Sequence, residues 1–160
     1  PSFANARAEL RTAVQACTSR GMRVVVTAPS EELRRELTEI DERLVDAREF
    51  VSLARLVCSC KVVISHGGAG TVLAALAAGV PIVVVPPGSP SQIRTADACH
   101  HAGVGRRCDP TGLDAALGEV MNDPKITAAA AAAARQIAGL PTASAVVSLF
   151  ESLTSAPTSD

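Results

Sequence analysis

Aromatic side chains are scarce in this chain, at 2% of its residues, with no Trp, no Tyr and three Phe. Three Phe cannot build the stacking platforms on which single-stranded nucleic acid is held. An excess of positive charge is missing as well: 15 Lys and Arg stand against 16 Asp and Glu, for a formal net charge of −1. A phosphate backbone would meet no basic field, so no nucleic-acid partner is expected. Long apolar runs are also absent, because Gly79, Pro81, Pro86 and Arg135 break every stretch well short of the roughly 20 residues that span a bilayer. No membrane span is expected, and the chain reads as soluble. Paired cysteine motifs are lacking too. The five cysteines, Cys17, Cys58, Cys60, Cys99 and Cys108, are odd in number and fit reduced thiols in a cytoplasmic protein. Neither a CxxC nor an HxxxH element supports a zinc site at Cys58-Ser59-Cys60 with Cys99, His100, His101 and Cys108, and no metal is expected. The opening PSFANARAEL has neither the layout of a signal peptide nor an initiator Met, and reads as the start of a processed or excised piece.

What is present suits one compact domain: 160 residues, 48% of them hydrophobic and 19% charged. Its expected extent is 1–153, with 154–160 a frayed tail. Apolar positions at three- and four-residue spacing predict a helix from Phe3 to Arg20, ended by Gly21. A β-branched strand follows over Met22–Thr27, then a short helix capped by Ser30, with Glu31 and Glu32 in its first turn. Further strands are expected at Arg43–Asp46, Lys61–Ser65, Ile82–Val85 and Val104–Arg107, and helices at Ala54–Ser59, Thr71–Ala78, Gln92–Ala102 and Leu113–Met121. Thr71–Ala78 is apolar on every face and should be buried against a sheet. The seven alanines Ala128–Ala134 predict a helix made for close packing, and Val146, Val147, Leu149 and Phe150 predict a last apolar helix. Strands and helices alternate, and the clearest strands are apolar on both faces. That pattern predicts an α/β fold with an open, mostly parallel sheet flanked by helices.

Chemistry concentrates between the strand ending at Ser65 and the helix that follows. There the run His66-Gly67-Gly68-Ala69-Gly70-Thr71 lets the backbone turn tightly and brings unpaired amides close to a ligand. The amino end of a helix offers those amides and about +0.5 of a charge, which suits a phosphate, and the Thr71 hydroxyl and His66 imidazole are further donors. Tight turns need glycine whether or not a ligand binds, and a histidine can be a satisfied structural one; both readings stand at this point. A P-loop is excluded because no Lys follows Gly70. A nicotinamide fingerprint fits poorly, with Leu73 where a third glycine or alanine belongs and Val85 meeting Pro86 where an acid should close the next strand.

These residues carry a resemblance. Phe50-Val51-Ser52-Leu53, the strand to Ser65, HGGAGT at 66–71, Leu73-Ala74-Ala75-Leu76, Gly79-Val80-Pro81 and Gln92 are similar, in order and separation, to the C-terminal half of GT-B glycosyltransferases. The kind resembled is that of the UDP-glycosyltransferases and antibiotic glycosyltransferases, over about residues 22 to 110. The resemblance implies one Rossmann-like half of that fold, binding a nucleotide diphosphate sugar. The turn His66, Gly67, Gly68, Ala69, Gly70 and Thr71 would hold the diphosphate, through His66 and the amides of Gly68 to Thr71. Phe50 and Val51 would flank the base, and Ser91 and Gln92 would face sugar hydroxyls. It further implies transfer of a hexose-type sugar, with inversion, to an acceptor hydroxyl on a small natural product. No cofactor or metal is implied, in keeping with the lack of an Asp-x-Asp pair.

Departures from the family pattern qualify what is carried over. Ser91 stands where Asp is usual, which removes a charged acceptor for sugar hydroxyls and fits a deoxygenated sugar. Thr95 stands where Asn is frequent, and Pro86–Pro90 is one residue longer. The acceptor and the general base belong to an N-terminal partner domain, so no catalytic residue is expected here and the fragment should be inactive alone. The first, central strand of a 3-2-1-4-5-6 order is also missing, so residues upstream of Pro1 are expected, and the strands flanking it should lack a neighbour. The alternatives are a stand-alone donor-binding subunit of a two-component transferase and a non-catalytic nucleotide-binding module.

Overall fold

Ile82, Val83 and Val84 have no solvent exposure, and they form the strand around which the domain is organised. The computed structural model describes residues 3–141 and 143–154. Its strands are β1 (Val24–Thr27), β2 (Val45–Arg48), β3 (Val63–Ser65), β4 (Ile82–Val84) and β5 (Gly105–Arg107). Its α-helices are α1 (Phe3–Thr18), α2 (Glu31–Thr38), α3 (Leu53–Leu56), α4 (Ala69–Ala77), α5 (Pro90–His101), α6 (Leu113–Asn122), α7 (Pro124–Ala138) and α8 (Ala143–Thr154). Every pairing is parallel, and β4 lies between β3 and β5. Burial on both faces explains its unbroken apolar run. Ile82 and Val84 join one core with Val72, Ala75, Ala96 and Cys99 of α4 and α5, while Val83 points into a second core with Leu113, Leu117 and Val120 of α6. Each of these three side chains contributes roughly 1.5–3 kcal/mol by leaving water.

The expected single sheet is divided in two among the described residues. β1 pairs with β2, β3 with β4 and β4 with β5, but no pairing joins β1 to β3. The break falls where the order 3-2-1-4-5-6 puts its first strand, so the strands expected to lack a neighbour do lack one. The cores remain continuous across it: Val24 of β1 packs both with the α6 core and with the Val14, Val26 and Leu37 core between α1 and α2.

Local chemistry explains where the element boundaries differ from expectation. β2 begins at Val45 instead of Arg43 because the Asp41 carboxylate accepts from the Arg43 and Leu44 amides at 3.0 and 3.2 Å, curling those residues into a turn. α5 begins at Pro90, two residues early, since proline fits the first helical position. α2 starts as expected, with the Ser30 hydroxyl accepting from the Leu33 amide at 3.3 Å. α4 departs most. Val72 and Ala75 are buried against β4 as expected, but α7 covers another face and Leu73 is 58% exposed. The alanine run of α7 serves the close packing expected of it. Ala129 and Ala133 meet the α4 core, and the Ala131 Cα and Ala134 Cβ lie 3.5 and 3.6 Å from where a Cβ on Gly79 would stand. α8 matches the expected last helix, and 155–160 of the expected frayed tail lie outside the described residues.

Candidate nucleotide diphosphate site

Because β3 and β4 run parallel with Ser65 opposite Val84, the turns leaving both strands emerge at the same edge of the sheet. From there α4 and α5 depart, each with its amino end at that edge. Open α/β sheets bind ligands at this edge, and both helix dipoles place partial positive charge there.

The turn into α4 is tightly specified. Gly67 is buried with φ +89°, and a Cβ on it would stand 2.9 Å from Val84 Cγ1 and 3.1 Å from the Gln92 carbonyl oxygen. Glycine is required by conformation and by space together. The Gly67 amide donates to the Ser65 hydroxyl at 3.1 Å, while the Ser65 carbonyl accepts from the Val85 amide at 2.9 Å. Gly68 is the N-cap in extended geometry, and the first intrahelical bond runs from the Val72 amide to its carbonyl at 3.1 Å. The amides of Ala69, Gly70 and Thr71 precede that bond and have no partner within the helix. Ala69 and Gly70 are exposed and Thr71 is half-buried, so the helix end is open.

His66 is exposed, and among the described residues its ring makes no hydrogen bond, which removes the reading of a satisfied structural histidine. The ring lies across Gly68: a Cβ there would be 3.0 Å from His66 Nε2. An imidazole and a set of amides without intrahelical partners thus belong to the same turn.

The other expected residues take less uniform positions. Phe50 is 81% exposed, which rules out core packing, and Val51 is half-buried. Both lie in the loop leading to α3, which packs against α4. Gln92 is half-buried and joins Pro87, Gly88 and Ser89 around an open cavity of about 590 Å³; its backbone touches the turn at Gly67. Ser91 is exposed, its hydroxyl 3.1 Å from that of Ser89. Thr95 donates to the Ser91 carbonyl at 3.0 Å, so its hydroxyl is spent on the helix. A smaller depression of about 360 Å³ lies by the opposite strand ends, lined by Cys60, Lys61, Val80 and Met121 among others. No group of three or more His, Cys, Asp or Glu able to hold a metal occurs among the described residues. No described helix is long and apolar enough to cross a membrane. Sequence reading assigned no role to the Ser65 hydroxyl; its signal is a serine at a strand end two residues before a glycine, a pattern of side-chain turns.

Comparison with known proteins gives the family. Residues 13–153 match the family model described as "Erythromycin biosynthesis protein CIII-like, C-terminal domain", a longer stretch than the one on which the resemblance was read. The chain is 30% identical over 154 residues to the aclacinomycin-T 2-deoxy-L-fucose transferase of Streptomyces galilaeus, covering 92% of this chain and 34% of that protein. It is 35% identical over 113 residues to the elloramycin glycosyltransferase ElmGT of Streptomyces olivaceus, covering 69% and 28%. The chain therefore spans about a third of the curated relatives it matches. Among solved structures it is similar to the spinosyn rhamnosyltransferase SpnG complexed with thymidine diphosphate, with TM-score 0.81, 29% identity and coverage of 92% and 41%. It is also similar to the glycosyltransferase VinC in complex with dTDP, with TM-score 0.73, 27% identity and coverage of 88% and 36%. The chain belongs to the erythromycin biosynthesis protein CIII-like C-terminal domain family, the C-terminal domain of antibiotic glycosyltransferases of the GT-B fold.

Proposed function

We propose that this domain binds the donor of a glycosyltransferase that moves a hexose-type sugar from a nucleotide diphosphate to an acceptor hydroxyl on a small natural product, with inversion. The observation that carries the reading is the exposed His66 ring lying over Gly68 beside the unpaired amides of Ala69, Gly70 and Thr71. As the bond from the anomeric carbon to the phosphate oxygen breaks, negative charge grows on the diphosphate. Oriented amides, the α4 dipole and an imidazole N–H offset that charge without reorganising. Relatives of known structure that hold thymidine diphosphate support a diphosphate as ligand.

Phe50 offers an exposed ring to a nucleobase and Val51 its backbone groups, while Gln92 lines the cavity beside the turn and Ser91 lies next to its lining residue Ser89; the sugar is assigned to this cavity. A neutral hydroxyl at Ser91 suits a sugar lacking one of its own hydroxyls. Leaving-group charge is met by protein donors, and the reaction is metal-independent. The acceptor and the general base are supplied by an N-terminal domain, in the cytoplasm, so these residues alone bind donor and turn over little or nothing.

Titrating the isotopically labelled chain with thymidine diphosphate and uridine diphosphate, followed by amide NMR, tests the reading. Perturbations should concentrate at 50–51, where the base is assigned, and at 66–72, where the diphosphate is. Perturbations confined to the depression near Lys61, or none at millimolar nucleotide, would overturn it.

A further inference from the structure

The Gly67 amide points inward, to the Ser65 hydroxyl at 3.1 Å, while the amides that follow it have no partner inside the helix. Ser65 is itself pinned to the sheet, since its carbonyl accepts from Val85 at the end of β4. Its side chain therefore couples the fixed strand edge to the first residue of the turn that has left it. Gly67 in turn sits between Val84 Cγ1 and the Gln92 backbone, in a conformation with φ +89°, so little else could hold the chain at this point. From this juxtaposition we infer that Ser65 is a positioning residue for the anion site: its hydroxyl takes the Gly67 amide and thereby fixes where His66 and the following amides point. The inference rests on the donor-site reading for its effect on binding, but not for its effect on the turn.

Removing the hydroxyl leaves the buried Gly67 amide unsatisfied and frees the turn to sample other geometries, which costs affinity through lost preorganisation. Threonine carries the same hydroxyl on a β-branched stem that suits a strand end. In Ser65→Ala, thymidine diphosphate should bind roughly five- to tenfold more weakly, measured by calorimetry well below the melting temperature, with wild-type affinity regained in Ser65→Thr. Gly67 amide exchange should accelerate in the alanine variant and not in the threonine one. A merely structural serine would lower the melting temperature and leave affinity in the folded state unchanged, and that result would overturn the inference. So would a threonine variant as weak as the alanine one. If Ser65→Ala does not fold, Ser65→Cys, whose sulfur is a poorer acceptor, takes its place with the same expectations. Should the wild-type chain not bind thymidine diphosphate, the donor reading fails by itself. The role of Ser65 is then decided by Gly67 exchange: faster without the hydroxyl supports it, and unchanged exchange overturns it.

Discussion

The imidazole of His66 crowds the position of a β-carbon on Gly68, with Nε2 3.0 Å from it, so a side chain there would press the ring aside. The backbone at Gly68, φ −62° and ψ 129°, is open to any residue. A methyl group there strains no dihedral and acts only by displacing the ring. Gly68→Ala should fold normally and lose thymidine diphosphate affinity by roughly tenfold, the size of one charge-assisted hydrogen bond. Calorimetry beside a melting curve checks it, and an unchanged affinity would show that the ring position is immaterial.

Gly67, one residue earlier, should respond in the opposite manner. Its φ of +89° and the contacts a Cβ would make with Val84 and Gln92 mean that alanine strains the backbone and clashes as well. Gly67→Ala should cost about 2 kcal/mol or more of stability, a fall in melting temperature of roughly 4–8 °C. A melting temperature equal to wild type would contradict the geometry of the turn.

Acid should loosen the contact between α1 and α2. Hydrogen bonds from Arg11 and then Arg7 hold the Glu36 carboxyl below its ordinary value of 4.5. A lowered folded-state value means that stabilisation is complete above about pH 4.5 and is lost as pH falls through the folded value. Melting temperature measured from pH 7 downward should therefore drop at the acid end, and Glu36→Gln should flatten that drop. An identical acid limb in the variant would remove Glu36 as its source.

Thiol labelling should rank the cysteines by burial. Cys58 is exposed, Cys17 and Cys99 are buried, and burial, reinforced by Asp109, pushes the Cys108 thiol up to about 11. Iodoacetamide at pH 8 should modify Cys58 first and leave Cys17, Cys99 and Cys108 slow, as peptide mass mapping would show. Cys99 reacting as fast as Cys58 would contradict the core around β4.

Much of this architecture was legible because its signals are local. The run Ile82–Val85 between Gly79-Val80-Pro81 and Pro86-Pro87 could only be a buried strand, and Ser30 with Glu31 and Glu32 marked a helix start that the structure keeps. Less legible was whatever depends on neighbours. The apolar periphery of α4 suggested full burial, yet Leu73 is exposed because α7 covers only one face. The turn at Asp41 displaced β2 by two residues through a side chain outside the strand itself. At the site, glycine spacing located the turn, but the exposure of Phe50, the position of the His66 ring and the bond between Ser65 and Gly67 belong to the folded arrangement alone.

The central claim is that a diphosphate anion is held at the amino end of α4 beside His66. Calorimetric titration of the purified chain with thymidine diphosphate, in parallel with His66→Ala, tests it most directly. The account predicts wild-type binding tighter than millimolar, beyond about −4 kcal/mol, and a loss of roughly tenfold or more in the variant. No heat of binding in the wild type, or equal affinity in both proteins, would contradict it.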